Sequence, residues 1–150
     1  MHPLLSGIRL VVFDLDGTLV DSVPDLSAAV DEALRELGYP AVGEASVRDW
    51  VGNGSLKLME RALADALGEL PPAVLLTRGH EAFLDRYGRD PSSRTLLYPG
   101  VREGLDGLRE RGMSLALVTN KPYAFIAPIL DSMGLTDYFG LCLGGDSLPE

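Results

Sequence analysis

Residues 11–22 read VVFDLDGTLVDS, and this stretch decides the fold. Its first residues belong to an apolar run at 8–13 (IRLVVF) that stops at an acidic turn containing Gly17. Such a run is typical of a parallel strand buried on both faces. Because open α/β folds bind ligands at the carboxyl ends of their strands, we expect Asp14 and Asp16 to lie at a functional site.

Two further apolar runs, at 114–118 (SLALV) and 140–143, predict two more strands. Apolar residues at helical spacing before and between these two runs predict helices that end at Gly112 and Gly134. The order strand, helix, strand, helix, strand is that of an α/β fold with a parallel sheet.

The long interval from residue 22 to residue 98 contains no comparable strand. Apolar residues recur there at helical spacing in three segments, which end at Gly38, Gly68 and Gly88. We therefore expect an all-helical insert, joined to the α/β part by hinges after Ser22 and within 91–99.

The composition excludes several classes of protein. The 150 residues carry 13 Lys and Arg against 22 Asp and Glu, a net charge of −9, which argues against a nucleic-acid partner. No apolar stretch is long enough to cross a bilayer, so we expect no membrane partner. The single cysteine, Cys142, forms no internal disulfide, and we expect a reducing, cytoplasmic location.

Asp14 and Asp16 are the first candidate catalytic residues. Residues two apart on an extended segment point the same way, so both carboxylates reach one point. They repel each other there, and a hard divalent cation such as Mg²⁺ relieves the repulsion. One carboxylate is then able to attack an electrophile while the other moves a proton. An acidic surface loop is the alternative, whereas a calcium loop is excluded because Gly17 comes too early.

Thr119 and Asn120 end the second strand at the same edge of the sheet. Their hydroxyl and amide groups, with the backbone N–H groups of the next helix, form a candidate phosphate cradle. The alternative is a simple helix start, with Lys121-Pro122 at the first turn.

The chain resembles the haloacid dehalogenase superfamily of phosphohydrolases and, within it, the phosphoglycolate phosphatases. Three features carry the resemblance: the signature at Asp14 to Ser22, LVTNKP at 117–122, and YPGV at 98–101 after a helical insert. The resemblance implies a Rossmann-like α/β core at 1–21 and 99–150, and a helical cap at 22–98.

The resemblance also implies a mechanism and a cofactor. Asp14 takes the phosphoryl group as an aspartyl-phosphate, and Asp16 protonates the leaving alcohol of a small-molecule phosphate ester and then activates water. Mg²⁺ binds the Asp14 carboxylate and the Asp16 backbone carbonyl. The implied phosphate-binding residues are Gly17, Thr119, Asn120 and Lys121.

Caps of this family contribute groups that select the substrate, and Asn53, Lys57 and Arg61 are candidates for that role. The alternative is that the glycines around Asn53 form a turn, while Lys57 and Arg61 form a solvated pair on one helix face.

The family's Lys-Pro lysine and its last acidic pair are not found in their usual place. We therefore expect a C-terminally truncated chain with an incomplete sheet, an unpaired edge and a tendency to self-associate. A second interpretation assigns Asp146 and Glu150 to the metal site. Alternatives to phosphoglycolate hydrolysis are β-phosphoglucomutase-like transfer, a broad sugar-phosphate or nucleotide phosphatase, and an inactive fragment.

Overall fold

The computed structural model describes residues 2–149 and contains five short strands and six α-helices in that range. The strands are β1 (Leu10–Phe13), β2 (Val20–Asp21), β3 (Leu96–Leu97), β4 (Ser114–Val118) and β5 (Leu141–Leu143). The helices are α1 (Val23–Glu36), α2 (Gly43–Trp50), α3 (Ser55–Leu67), α4 (Ala73–Arg89), α5 (Val101–Glu110) and α6 (Ile126–Met133). Among residues 2–149, no helix combines the length and apolar character that a membrane span requires.

Three of the strands form one parallel sheet in the order β1, β4, β5. This arrangement confirms the predicted α/β fold. Leu115 and Leu117 on β4 are buried in the same apolar core as Leu105 of α5 and Ile129 of α6. The strands and their connecting helices thus bring the ends of β1 and β4 side by side.

Strand β1 differs from the prediction of a strand buried on both faces. Leu10 and Val12 are 55% and 54% exposed, while Val11 and Phe13 pack against the core. Successive side chains of a strand alternate between faces, and no element within residues 2–149 buries the face that carries Leu10 and Val12. The prediction was therefore wrong for one face of this edge strand.

Helices α1 to α4 form the helical insert, which was predicted with three helices rather than four. Helix α2 was missed because Val47 is its only buried residue, so its apolar spacing is weak. The prediction of no strand within 22–98 was wrong at Leu96–Leu97. This two-residue strand exists because it pairs with Val20–Asp21, which no local sequence signal indicates.

The two connections between the insert and the α/β part lie side by side. Strands β2 and β3 pair in antiparallel fashion, with Val20 opposite Leu97. The buried carboxylate of Asp25 accepts hydrogen bonds from the Thr95 hydroxyl at 2.7 Å and the Arg94 backbone N–H at 3.0 Å. The two connections are therefore held together. The domain boundaries, between residues 21 and 22 and between residues 98 and 99, stay a prediction.

Candidate active site

The turn after β1 is built around Leu15. Its side chain is fully buried, and its carbonyl accepts three backbone hydrogen bonds from the residues that follow. Gly17 has a φ of +77°, a conformation that glycine adopts without a steric penalty. The carboxylate of Asp14 accepts the Leu15 N–H at 2.7 Å. This tight turn holds the two aspartates, Asp14 and Asp16, at the carboxyl end of the strand.

Thr119 and Asn120 follow β4 directly beside this turn. Thr119 is 6% exposed, and its hydroxyl oxygen accepts the backbone N–H of Lys121 at 3.2 Å. The sequence predicts a helix start here, but α6 begins only at Ile126, after a 3-10 turn at Tyr123–Phe125. The cradle is therefore a loop, because the 3-10 turn separates it from the α-helical N–H groups.

One cavity of about 40 Å³ lies between the two strand ends and the helical insert. The α/β part contributes Asp14, Asp16, Thr119, Asn120 and Lys121 to its lining. The insert contributes residues of α3, of α4 and of the loop before α3. Gly17, a predicted phosphate ligand, is exposed and lies outside this lining. The structure thus brings the predicted residues Asp14, Asp16, Thr119, Asn120 and Lys121 together around one cavity, and it leaves Gly17 outside.

Lys121 lines the cavity and also forms an ion pair with the second aspartate, Asp16. Its side chain is 3% exposed, and its Nζ lies 3.0 Å from Asp16 Oδ1. The ammonium group also donates a hydrogen bond to the hydroxyl of Tyr87 and lies 4.5 Å from the centre of that ring. Asp16 Oδ1 accepts a further hydrogen bond from the Ser22 hydroxyl at 2.5 Å. The lysine predicted to bind phosphate is therefore engaged with Asp16 in this structure.

Burial shifts the pKa of both Lys121 and Tyr87. It lowers the pKa of Lys121 from 10.5, although the nearby Asp16 and Asp25 carboxylates act in the opposite direction. Burial also raises the pKa of Tyr87 well above 10.0, and the same two carboxylates add to that effect. The Tyr87 phenol therefore stays protonated at neutral pH.

Asn120 joins the two parts of the molecule. Its side-chain Nδ2 donates a hydrogen bond to the carbonyl oxygen of Gly52 at 2.9 Å, in the loop before α3. The side chain predicted to hold phosphoryl oxygens thus contacts the insert while it lines the cavity.

The three predicted cap contacts, Asn53, Lys57 and Arg61, do not line the cavity. Arg61 donates hydrogen bonds to the Trp50 carbonyl and to Asn53 Oδ1, the latter at 2.9 Å. Lys57 forms an ion pair with Glu60 on the surface of α3. Arg61 and Asn53 therefore brace the loop before α3, and Lys57 corresponds to the solvated alternative.

Other residues of the insert reach the cavity and were missed. Ser55 and Leu58 line it from the inward side of α3, where residues three apart share a face. The Ser55 hydroxyl lies 2.7 Å from Nε2 of His80. Tyr87 was predictable only as a core residue of α4, because its spacing from Phe83 marks packing and nothing local marks its hydroxyl.

Two oxygen groups at the end of β1 are suitable ligands for a hard divalent cation. The Asp14 carboxylate lines the cavity, and the Asp16 backbone carbonyl accepts no hydrogen bond within residues 2–149. No cluster of three or more metal-ligating side chains forms in that range. Asp146 instead accepts the backbone N–H of Tyr123 at 2.8 Å, and Glu150 lies outside the described residues.

Nearly the whole chain matches a known protein family. The sequence model of the haloacid dehalogenase-like hydrolases matches residues 8–149. The chain belongs to the haloacid dehalogenase-like hydrolases. The family predicted from residues 14–22, 98–101 and 117–122 is thereby confirmed.

Phosphoglycolate phosphatase from Pseudomonas putida is 48% identical to this chain over 143 residues, which are 95% of this chain and 52% of that protein. Phosphoglycolate phosphatase from Vibrio parahaemolyticus is 48% identical over 148 residues, which are 97% of this chain and 64% of that protein. The chain thus spans about half to two thirds of the length of these relatives.

A solved structure of a haloacid dehalogenase-like fold superposes closely. The crystal structure of a predicted phosphoglycolate phosphatase from Haemophilus somnus 129pt has a TM-score of 0.87 and 38% identity to this chain. The match covers 95% of this chain and 65% of that one.

Proposed function

We propose that this chain carries the nucleophile and the acid/base of a Mg²⁺-dependent phosphate monoester hydrolase whose substrate is phosphoglycolate. The observation that carries the proposal is the convergence of Asp14, Asp16 and Thr119 on one cavity. The names of the relatives at 48% identity support the substrate. In this proposal the helical insert acts as the cap over the cavity.

The proposed reaction has two phosphoryl transfers. A carboxylate oxygen of Asp14 attacks phosphorus, and the bond between phosphorus and the ester oxygen breaks while Asp16 gives that oxygen a proton. Water then attacks the phosphorus of the aspartyl-phosphate, gives a proton to Asp16 and releases phosphate from Asp14. The Thr119 hydroxyl donates a hydrogen bond to a phosphoryl oxygen.

The Asp14 carboxylate and the Asp16 carbonyl would hold Mg²⁺. Both are oxygen ligands, and Mg²⁺ at phosphate sites commonly uses one or two carboxylates with water and substrate oxygens. When bound, the ion supplies positive charge that stabilises the phosphoryl oxygens during transfer.

The preference for phosphoglycolate over a hexose phosphate or a nucleotide rests on the names of the relatives at 48% identity. A cytoplasmic location and the lack of nucleic-acid or membrane partners remain predictions from composition.

Replacement of the nucleophile tests the proposal. In the complete natural polypeptide that contains residues 1–150, we expect Asp14→Asn to lower Mg²⁺-dependent phosphate release from phosphoglycolate by at least about 1,000-fold, because an amide does not attack phosphorus. The matched control is Asp137→Asn, an exposed aspartate outside the cavity lining, which should keep wild-type activity. Undiminished release by Asp14→Asn would overturn the proposed mechanism. Phosphate release from hexose phosphates or nucleotides but not from phosphoglycolate would overturn the assignment of phosphoglycolate as the substrate.

A further inference from the structure

Tyr87, on the helical insert, contacts Lys121 of the α/β part. Its side chain is 1% exposed on α4, stacked on Phe83 with ring centres 5.4 Å apart. The Phe125 ring, from the 3-10 turn after β4, packs against the same ring in a T-shaped arrangement, with ring centres 4.9 Å apart. The ring therefore has little freedom, and its hydroxyl is held where the Lys121 ammonium group donates to it.

The two oxygens of the Asp16 carboxylate have different surroundings. Oδ1 accepts a hydrogen bond from Ser22 at 2.5 Å and forms an ion pair with the Lys121 ammonium group at 3.0 Å. Oδ2 accepts no hydrogen bond within residues 2–149. Oδ2 is therefore the oxygen available to exchange a proton with the substrate, and the hydrogen bond and ion pair on Oδ1 restrict the direction in which Oδ2 points.

Lys121 needs a second contact to hold its ammonium group in one position against the Asp16 carboxylate. A lysine side chain has four rotatable carbon bonds and a compact ammonium group, so one ion pair leaves its direction loosely defined. The hydroxyl and ring face of Tyr87 supply that second contact from a different element. The orientation of Asp16 thus depends on α4 lying against the loop after β4.

We propose that Tyr87 is a positioning residue for the acid/base carboxylate of Asp16 and that it acts through Lys121. The inference rests on the proposed function, in which Asp16 protonates the leaving alcohol. It adds a role for the insert in the chemical step. A misdirected carboxylate delivers its proton poorly, and the loss is greatest for leaving groups that depend on that proton.

The test compares two leaving groups in the complete natural polypeptide loaded with Mg²⁺. Tyr87→Phe removes the hydroxyl and keeps the ring packing. We expect kcat/KM for phosphoglycolate to fall about 10-fold, because its alkoxide requires a proton to leave. For p-nitrophenyl phosphate, whose phenolate leaves without a proton, kcat/KM should stay within about two-fold of wild type. kcat/KM reports the first phosphoryl transfer, in which the leaving group departs.

Tyr138→Phe is the matched control, because it also removes a hydrogen-bonded phenol, one that donates to Asp106 at 2.6 Å away from the cavity. It should leave both values of kcat/KM unchanged. Equal losses of Tyr87→Phe on both substrates, or no loss on phosphoglycolate, would overturn the positioning role while the proposed function stands. If the wild-type protein hydrolyses neither phosphoglycolate nor p-nitrophenyl phosphate, the proposed function is overturned, and this inference with it.

A double variant checks that Tyr87 acts through Lys121. In a Lys121→Met background, Tyr87→Phe should cause no further loss of kcat/KM for phosphoglycolate. If the fold-loss of kcat/KM in the double variant equals the product of the two single-variant losses, Tyr87 acts independently of Lys121, which would contradict the proposal.

Discussion

The pair of Ser55 and His80 places a titratable group one contact away from the cavity. Ser55 lines the cavity, and its hydroxyl lies 2.7 Å from His80 Nε2. Burial lowers the pKa of His80 from 6.5, while the neighbouring Glu81 carboxylate acts in the opposite direction. The half-buried imidazole is therefore neutral at pH 7 and is suited to hold the serine hydroxyl in one orientation.

This lowered pKa predicts a pH dependence of stability. The unfolded chain binds a proton on His80 near pH 6.5, whereas the folded chain binds it only at lower pH. The contribution of the neutral imidazole is thus fully present above pH 6.5 and is lost as the pH falls through the folded pKa. We expect His80→Gln to reduce the drop in urea unfolding midpoint between about pH 7.5 and about pH 5.

The control for this experiment is His2→Gln, which changes the other histidine at an exposed position. It should follow the wild-type pH profile. A His80→Gln profile parallel to that of wild type would contradict the assignment.

The loop after β4 depends on a close approach by the segment after β5. A Cβ placed on Gly144 would lie 2.6 Å from the backbone nitrogen of Tyr123, and the N–H of Gly145 donates to the Lys121 carbonyl at 2.9 Å. The tight contact involves backbone, which has no side-chain freedom with which to relax. The glycine pair therefore supports the loop that carries Asn120 and Lys121.

We expect Gly144→Ala to lower the free energy of unfolding by about 1–3 kcal/mol, because the added methyl group forces the two backbone segments apart. Chemical denaturation measures the change. The matched control is Gly104→Ala in α5, where an added Cβ meets no atom within 4 Å. That variant should raise stability by about 0.5–1 kcal/mol, since alanine favours the helix. Equal effects of the two variants would contradict the steric argument.

Strand β1 and the residue stretch before it expose apolar side chains. Ile8, Leu10 and Val12 are 41%, 55% and 54% exposed, and β1 forms the outer strand of the parallel sheet. An edge strand with apolar side chains offers unpaired backbone groups to another chain. We propose that the 150-residue polypeptide self-associates through this edge.

A charged side chain on β1 tests this proposal. We expect Val12→Lys to shift the 150-residue polypeptide toward monomer in sedimentation velocity, because a lysine on an edge strand opposes pairing. Val74→Lys is the matched control, since Val74 is 74% exposed on α4 and remote from the sheet in sequence. A monomeric wild-type polypeptide, or equal effects of both substitutions, would contradict association through β1.

The sequence by itself determined the α/β class, the strand at 114–118, the helical character of the interval 22–98 and the family. These features depend on local spacing of apolar residues and on short motifs, which a single stretch of chain contains. Asp14 and Asp16 were predicted as site residues for the same reason, because their separation of two at a strand end is a local property.

Only the tertiary structure decided the contacts between the two parts of the molecule. Tyr87 meets Lys121 across 34 residues of sequence, and Asn120 meets Gly52 across 68. The exposed face of β1 and the pairing of β3 likewise depend on which neighbours a strand acquires. Side-chain direction, burial and hydrogen-bond partners at such sites arise from packing between distant segments, so no local pattern determines them.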